Sequence, residues 1–180
     1  YRVDLGVNMN GWLEADVAGE PGREIEFKFA ERADQEMTHR LRSKYIVGPE
    51  GKGTFRNRFN YFAGRWVQIQ GLEDKPDLDQ IRAYMVRTDY SRAGHFECSN
   101  ELLNDIYDTT LWTFENLSLG GYVVDCPQRE RMGYGGDAHA TTETGLDNYS
   151  LGAFYTKWSQ DWRDVQGGGS RWGTDENKEG

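Results

Sequence analysis

The run Ser99-Asn100-Glu101-Leu102-Leu103-Asn104-Asp105-Ile106-Tyr107-Asp108-Thr109-Thr110-Leu111-Trp112-Thr113-Phe114-Glu115-Asn116-Leu117 decides the fold. Leu103, Ile106, Tyr107, Thr110, Leu111, Phe114 and Leu117 recur at intervals of three and four, one face of a helix. Ser99 is placed to cap it, Glu101 suits its positive first turn, and Gly120-Gly121 is expected to end it. Upstream the period is two. Leu13, Ala15 and Val17 alternate before the breaker Gly19-Glu20-Pro21-Gly22. Ile25, Phe27 and Phe29 alternate with Glu24, Glu26 and Lys28, as a strand with one wet face does. Val67 and Ile69, then Ile81, Ala83 and Met85, repeat the pattern. Gly48-Pro49-Glu50-Gly51 and Lys75-Pro76-Asp77 supply turns between them. Short strands spaced in this way predict a β-sandwich.

Downstream, Leu151, Phe154, Tyr155, Trp158, Trp162 and Val165 mark a second helix, and a further helical stretch covers Ala138 to Thr144. The chain therefore reads as β then α, dividing near residues 90–97. Residues 1–92 are assigned to the end of a sandwich domain and 93–180 to the start of a helical one. No internal repeat is visible. Residues 167–180 read as a solvated loop, not a phosphate cradle, because they lack the P-loop Lys-Ser/Thr pair.

The 180 residues carry 21 Lys+Arg against 30 Asp+Glu, a net charge of −9. That balance argues against a nucleic-acid partner, whose phosphates are met by basic clusters. No apolar run approaches the ~18–20 residues that span a bilayer, so no membrane partner is expected. With 13% aromatic residues the chain is not disordered, and a surface that stacks flat ligands is expected. It begins at Tyr1 with no leader visible, and both ends read as cuts through a longer protein. Compartment is not legible. Cys98 and Cys126 are too few for a disulfide framework and lack zinc spacing, so both read as free thiols.

Chemistry concentrates in Asp125-Cys126-Pro127-Gln128-Arg129-Glu130-Arg131-Met132-Gly133-Tyr134-Gly135-Gly136-Asp137. Offsets of five and seven do not align its three carboxylates on a helix face. They converge only if the segment is irregular, which Pro127 and the glycines favour. Such a loop suits an acid kept protonated beside carboxylates that stay ionised. The plainer reading has the carboxylates capping helices and pairing with Arg129 and Arg131. A calcium site is a weaker third reading, since no EF-hand spacing is present.

Asp-Cys-Pro-Gln-Arg-Glu-Arg, followed by Gly, an aromatic, Gly and Asp, resembles the signature of bacterial α-L-rhamnosidases of glycoside hydrolase family 78. The resemblance extends over most of residues 1–166. Asp4-Leu5-Gly6 with Asn8-Met9 and Gly11-Trp12, Phe59 to Gly71, and Phe96-Glu97-Cys98-Ser99 with Leu102-Leu103-Asn104 also look like the family's pattern. It implies β-sandwich domains followed by an (α/α)6 barrel and inverting hydrolysis of terminal α-L-rhamnosyl groups. It implies a rhamnose-containing glycoside or polysaccharide as partner, with no cofactor and no metal. By position in the motif, Glu130 matches the general acid, and Asp125 and Asp137 match carboxylates that hold the sugar hydroxyls. Arg129 matches the same sugar-binding shell, and Tyr134 takes the place of a stacking aromatic. Many members have one more residue between the Arg and the Glu. The family usually has Trp at Tyr134, Thr at Gly135 and Gln at His139.

An inverting glycosidase needs an acid and a base ~6.5–9.5 Å apart, with a water between base and sugar. Its acid should have a raised pKa. The resemblance places the base far downstream, beyond residue 180, and Glu143 is a poor substitute because it is too near in sequence. His139 reads as a hydrogen-bonding residue at a helix start, and His39 and His95 show no metal spacing. Trp112, Trp158 and Trp162 read as packing residues, and Trp66 as a packing residue before a sugar platform. The alternative to an enzyme is a non-catalytic carbohydrate-binding β module with a packed helical tail. A calcium-dependent structural module is a third possibility. As a piece of a six-hairpin barrel the chain should be inactive alone. It should leave partly exposed apolar stripes on the 103–117 and 151–165 helices, beside a cleft open on one side.

Overall fold

A computed structural model describes residues 1–35 and 41–166. The readings of His39 and of residues 167–180 lie outside the described residues. The order is β then α. Strands β1 (Arg2–Ala18), β2 (Glu24–Ala30), β3 (Arg42–Ile46), β4 (Lys52–Arg56), β5 (Phe62–Gln70) and β6 (Ile81–Met85) come first. Helix α1 (Glu101–Leu117), the hairpin β7 (Ser118–Leu119) and β8 (Tyr122–Val123), and helices α2 (Gly135–Asn148) and α3 (Gly152–Val165) follow.

The six long strands form one antiparallel sheet around β1. Along one edge β1 pairs with β5 and then β4, from Arg2↔Gln68 to Gly11↔Phe62 and from Glu14↔Arg56 to Ala18↔Lys52. Its second half pairs with β6, from Gly11↔Met85 to Ala15↔Ile81. β2 joins β5, and β3 joins β2. The alternating apolar set points inward, and Leu13, Ala15, Val17, Ile25, Phe27, Phe29, Val67 and Ile69 are all buried. The sheet curls until its ends meet. Phe27 of β2 stacks on Phe55 of β4 with ring centroids 4.2 Å apart, and Asn57 donates to the Ser43 hydroxyl. One curled sheet thus faces itself across the core, as the two layers of a sandwich do.

β1 is interrupted. Between Asp4↔Trp66 and Met9↔Gly64 it uses five steps where β5 uses two, so residues 5–8 bulge. Gly6 takes φ +86° there, a conformation that favours glycine. Asp4 pins the bulge. Its carboxylate accepts from the Gly6 N–H at 2.8 Å and from both sides of the Arg65 fork at 2.6 and 2.8 Å. The Arg65 hydrogen bond first, and the Gly6 N–H second, lower the Asp4 pKa to about 2. A depressed carboxyl stabilises the fold above its ordinary value of ~3.9, and that contribution is lost as pH falls toward about 2. In Arg65→Gln the Asp4 carboxyl should titrate clearly higher, toward its ordinary ~3.9, with the Gly6 N–H still holding it somewhat below, read by carboxyl-carbon NMR. A value still near 2 would leave Arg65 without that role.

The bulge receives the helical part. The Trp112 indole N–H donates to the Asn8 carbonyl at 3.0 Å. The Asn10 N–H donates to Asn116 Oδ1 at 2.9 Å, and the Asn10 amide donates back to the Asn116 carbonyl. Both asparagines are buried, so each satisfies polar groups that burial would otherwise leave unpaired. The connecting segment is tied down as well. Thr88 N–H donates to the Ser118 carbonyl, and Ala93 and Gly94 donate to the Asn148 carbonyl.

The helices differ from expectation in detail. Asn100, not Ser99, caps α1, accepting from Leu102 N–H at 3.1 Å. Gly120-Gly121 does not end α1. It makes the β7–β8 turn at φ +67° and +83°, and Gly121 N–H is taken by the Thr88 hydroxyl. α2 runs to Asn148, past the expected Thr144, and Gly145 lets it sit close to its neighbours. A Cβ there would lie 2.9 Å from Phe114 of α1 and 2.7 Å from the Tyr155 hydroxyl of α3. Leu111, Phe114, Phe154 and Trp158 fill this second core. The expected stripes are exposed only in part: Leu103 and Ile106 on α1 and Trp162 and Val165 on α3 are open to solvent, while Leu111, Phe114, Leu151, Phe154 and Trp158 are buried. An open groove of ≈ 400 Å³ runs along the seam, lined by Asn8 and Asn10 of β1, Trp112 and Asn116 of α1, and Asp125 and Gln128 beyond β8.

Candidate active site

The segment between β8 and α2 is irregular but closed. Asp125 N–H donates to the Met132 carbonyl at 2.8 Å, and Met132 N–H donates to Asp125 Oδ1 at 3.0 Å. Inside that ring, Arg129 and Arg131 N–H both donate to the Cys126 carbonyl at 3.2 Å. This tight turn after Pro127 carries Glu130 back over Cys126. The Cys126 thiol lies between two carboxylates, 2.9 Å from Asp125 Oδ2 and within hydrogen-bond reach of Glu130 Oε2. Asp125 and Glu130 therefore share one thiol, despite an offset that no helix would align.

Arg129 donates from Nε to Glu130 Oε2 at 2.7 Å. Both side chains face solvent, with 37% of Glu130 exposed, so the carboxyl is within reach of a ligand. Burial raises the Asp125 pKa, but hydrogen bonds from the Cys126 thiol and the Met132 and Cys126 N–H groups outweigh it and hold the carboxyl below its ordinary value. Burial and the two neighbouring carboxylates push the Cys126 thiol up, so it stays a protonated donor. Hydrogen bonds to Cys126 and Glu130 raise Arg129 further. The ligand-type atoms of Asp125, Cys126 and Glu130 lie within 4.8 Å of one another, close enough to share a cation. Both cysteines are free thiols.

Asp137 serves differently. It sits in the first turn of α2, and its Oδ2 accepts from Tyr134 N–H at 3.2 Å, which is the helix-cap role of the plainer reading. The Tyr134 ring is half exposed beside it. His139 and Glu143 lie farther along α2 on its exposed side. Trp66 is half-buried on the outer side of the sheet, with the Arg65 guanidinium 5.7 Å from its ring. Trp158 is buried, Trp162 is largely exposed, and Trp112 ties α1 to the bulge.

Arg131 does not pair with the loop's carboxylates. Its side chain leaves the loop for the β part, to Asn60 and Tyr61. Its backbone has φ +61°, a left-handed conformation that costs roughly 1 kcal/mol for a residue with a Cβ. Asn60 and Tyr61 fall in the family-like stretch Phe59 to Gly71, but the sequence gives them no role at the site, because nothing local links them to a residue seventy positions later. Cys126 was read as a thiol with no role, since the motif does not show that a turn folds Glu130 back onto it.

Comparison with known proteins places these features. The family model described as bacterial alpha-L-rhamnosidase concanavalin-like domain matches residues 1–87. The model described as bacterial alpha-L-rhamnosidase 6 hairpin glycosidase domain matches residues 91–173. A protein from Formosa agariphila named alpha-L-rhamnosidase is 33% identical over 176 residues, covering 91% of this chain and 18% of its own length. One of the same name from Streptomyces avermitilis is 28% identical over 175 residues, covering 92% of this chain and 17% of its own. The chain thus spans less than a fifth of the length of these curated relatives. The solved alpha-L-rhamnosidase from Dictyoglumus thermophilum superimposes with a TM-score of 0.83 at 34% identity, over 92% of this chain and 20% of that one. The Streptomyces avermitilis alpha-L-rhamnosidase, solved in complex with L-rhamnose, gives 0.82 at 27% identity, over 92% and 17%.

Proposed function

We propose that this chain, which belongs to the bacterial α-L-rhamnosidase family in both its halves, is the part of a glycoside hydrolase that carries the general acid. The whole protein would release terminal α-L-rhamnose from glycosides or polysaccharides with inversion. The observation that carries this reading is the Asp125–Cys126–Glu130 cluster on an exposed, closed loop.

Glu130 would protonate the glycosidic oxygen as the bond to the anomeric carbon breaks. The leaving group then departs as a neutral alcohol, and the positive charge develops on the sugar ring. Asp125, fixed by Met132 N–H and the Cys126 thiol and held ionised, would accept from a sugar hydroxyl. Asp137, oriented by its cap, would accept from another. Arg129 would bind the sugar from the Glu130 side, and Tyr134 would offer its exposed ring to an apolar sugar face. The base that activates water on the opposite face would come from the rest of the barrel, ~6.5–9.5 Å from Glu130. We place the border between the two domains at 92/93, in the segment joining β6 to α1.

The test uses the full-length protein and p-nitrophenyl α-L-rhamnoside, with proton NMR of the first-formed sugar. The β-anomer should appear first and mutarotate later. Early α-anomer would overturn inversion. Turnover of other glycosides but not of the rhamnoside would overturn the substrate.

A further inference from the structure

We propose that the β domain holds the general acid in place: Arg131, reaching from the catalytic loop to Asn60 and Tyr61, is a positioning residue for Glu130. The inference rests on Glu130 being the acid.

Arg131 is the only non-glycine among the described residues with positive φ, and it directly follows Glu130. A residue in that conformation persists only where its surroundings hold it. Here they hold it from every side. Its N–H donates to the Cys126 carbonyl, and its carbonyl accepts from the Tyr122 hydroxyl at 3.3 Å. Its Nε donates to the Pro127 carbonyl at 2.7 Å, closing the loop on itself. Its two terminal nitrogens cross to the β domain, one to Asn60 Oδ1 at 2.5 Å and the other to the Tyr61 carbonyl at 3.0 Å. The guanidinium also lies over the Tyr61 ring, 3.9 Å from its centroid.

The anchor belongs to the sheet. Asn60 and Tyr61 lie in the connection between β4 and β5, both paired to β1. That connection is stitched to the sheet by Asn57, whose N–H donates to the Leu13 carbonyl and whose side chain accepts from Leu13 N–H. Releasing the guanidinium would let Arg131 relax toward ordinary φ, and the residue bonded to it, Glu130, would turn with it. The site calls for Arg in particular. Lys keeps the charge but has neither the fork for two acceptors nor the flat face for the ring.

The experiment compares full-length variants on two α-L-rhamnosides, one with a 2,4-dinitrophenyl and one with a methyl aglycone. The first leaves without a proton and the second needs one, so their kcat ratio reads the acid's placement. Arg131→Lys and Tyr61→Leu should lower kcat on the methyl rhamnoside about 10–100-fold more than on the dinitrophenyl one, with KM little changed. Tyr61→Phe keeps the ring and the backbone carbonyl and should match the wild type. Equal losses on both substrates, or a rise in KM alone, would overturn the proposal. Should Arg131→Lys fail to fold, Tyr61→Leu and Asn60→Ala carry the same comparison. Glu130→Gln serves as control. If it shows the split and the Arg131, Tyr61 and Asn60 variants do not, positioning fails alone. If it shows none, the assignment of the acid fails, and positioning with it.

Discussion

Glu130→Gln in the full-length protein is expected to lower turnover of an alkyl α-L-rhamnoside by about 10²–10⁴-fold, the usual contribution of a positioned general acid. The substitution is close to isosteric. The Gln carbonyl can still accept from Arg129 Nε, the donor that orients Glu130 now. What it lacks is a proton to give. The loss should therefore fall on kcat, and it should be smallest for aglycones that leave as stable anions. A variant within threefold of wild type on the alkyl substrate would remove Glu130 from the mechanism.

Phe27→Ala is expected to cost about 3–5 kcal/mol, the range for truncating a fully enclosed aromatic. Phe27 has no exposed surface, and its ring lies on Phe55 at 4.2 Å and 15°, within stacking range. The two residues sit on β2 and β4, strands that do not pair in the sheet, so their contact closes the curl together with the Asn57–Ser43 hydrogen bond. The cavity would open at that closure. The check is the urea midpoint of the transition that follows the β-sheet signal. A shift equivalent to less than ~1 kcal/mol would show that the curl is held elsewhere.

The strands with a buried apolar face were legible because alternation reports which side meets the core. β3 and β4 were not. Arg-Ser-Lys-Tyr-Ile and Lys-Gly-Thr-Phe-Arg hold too few apolar residues to show a period, and they owe their place to pairing with β2 and β1. Gly120-Gly121 misled because a glycine pair after a helix signals its end as readily as a hairpin. Only the contact between Gly121 and Thr88, more than thirty residues upstream, separates the two. In the loop, the sequence showed that the carboxylates needed an irregular backbone to meet. It did not show that Asp125 and Glu130 would meet on a thiol while Asp137 turned to its helix. The reach of Arg131 to Asn60 was out of sight, since a charge beside a carboxylate looks like that carboxylate's partner.

The pairing of Asn10 with Asn116 also bears on the order of events during synthesis. One partner lies in the first strand and the other near the end of the first helix. The last long strand, β6, ends at Met85, and Asn116 is made some thirty residues later, roughly 2–6 s at ~5–20 residues per second. The sheet is thus complete in sequence before its partner helix exists. In chain order the bulge at residues 5–8 precedes α1, which it meets at Asn8 and Trp112, and the Asp125–Asp137 loop is the last of the three to be made.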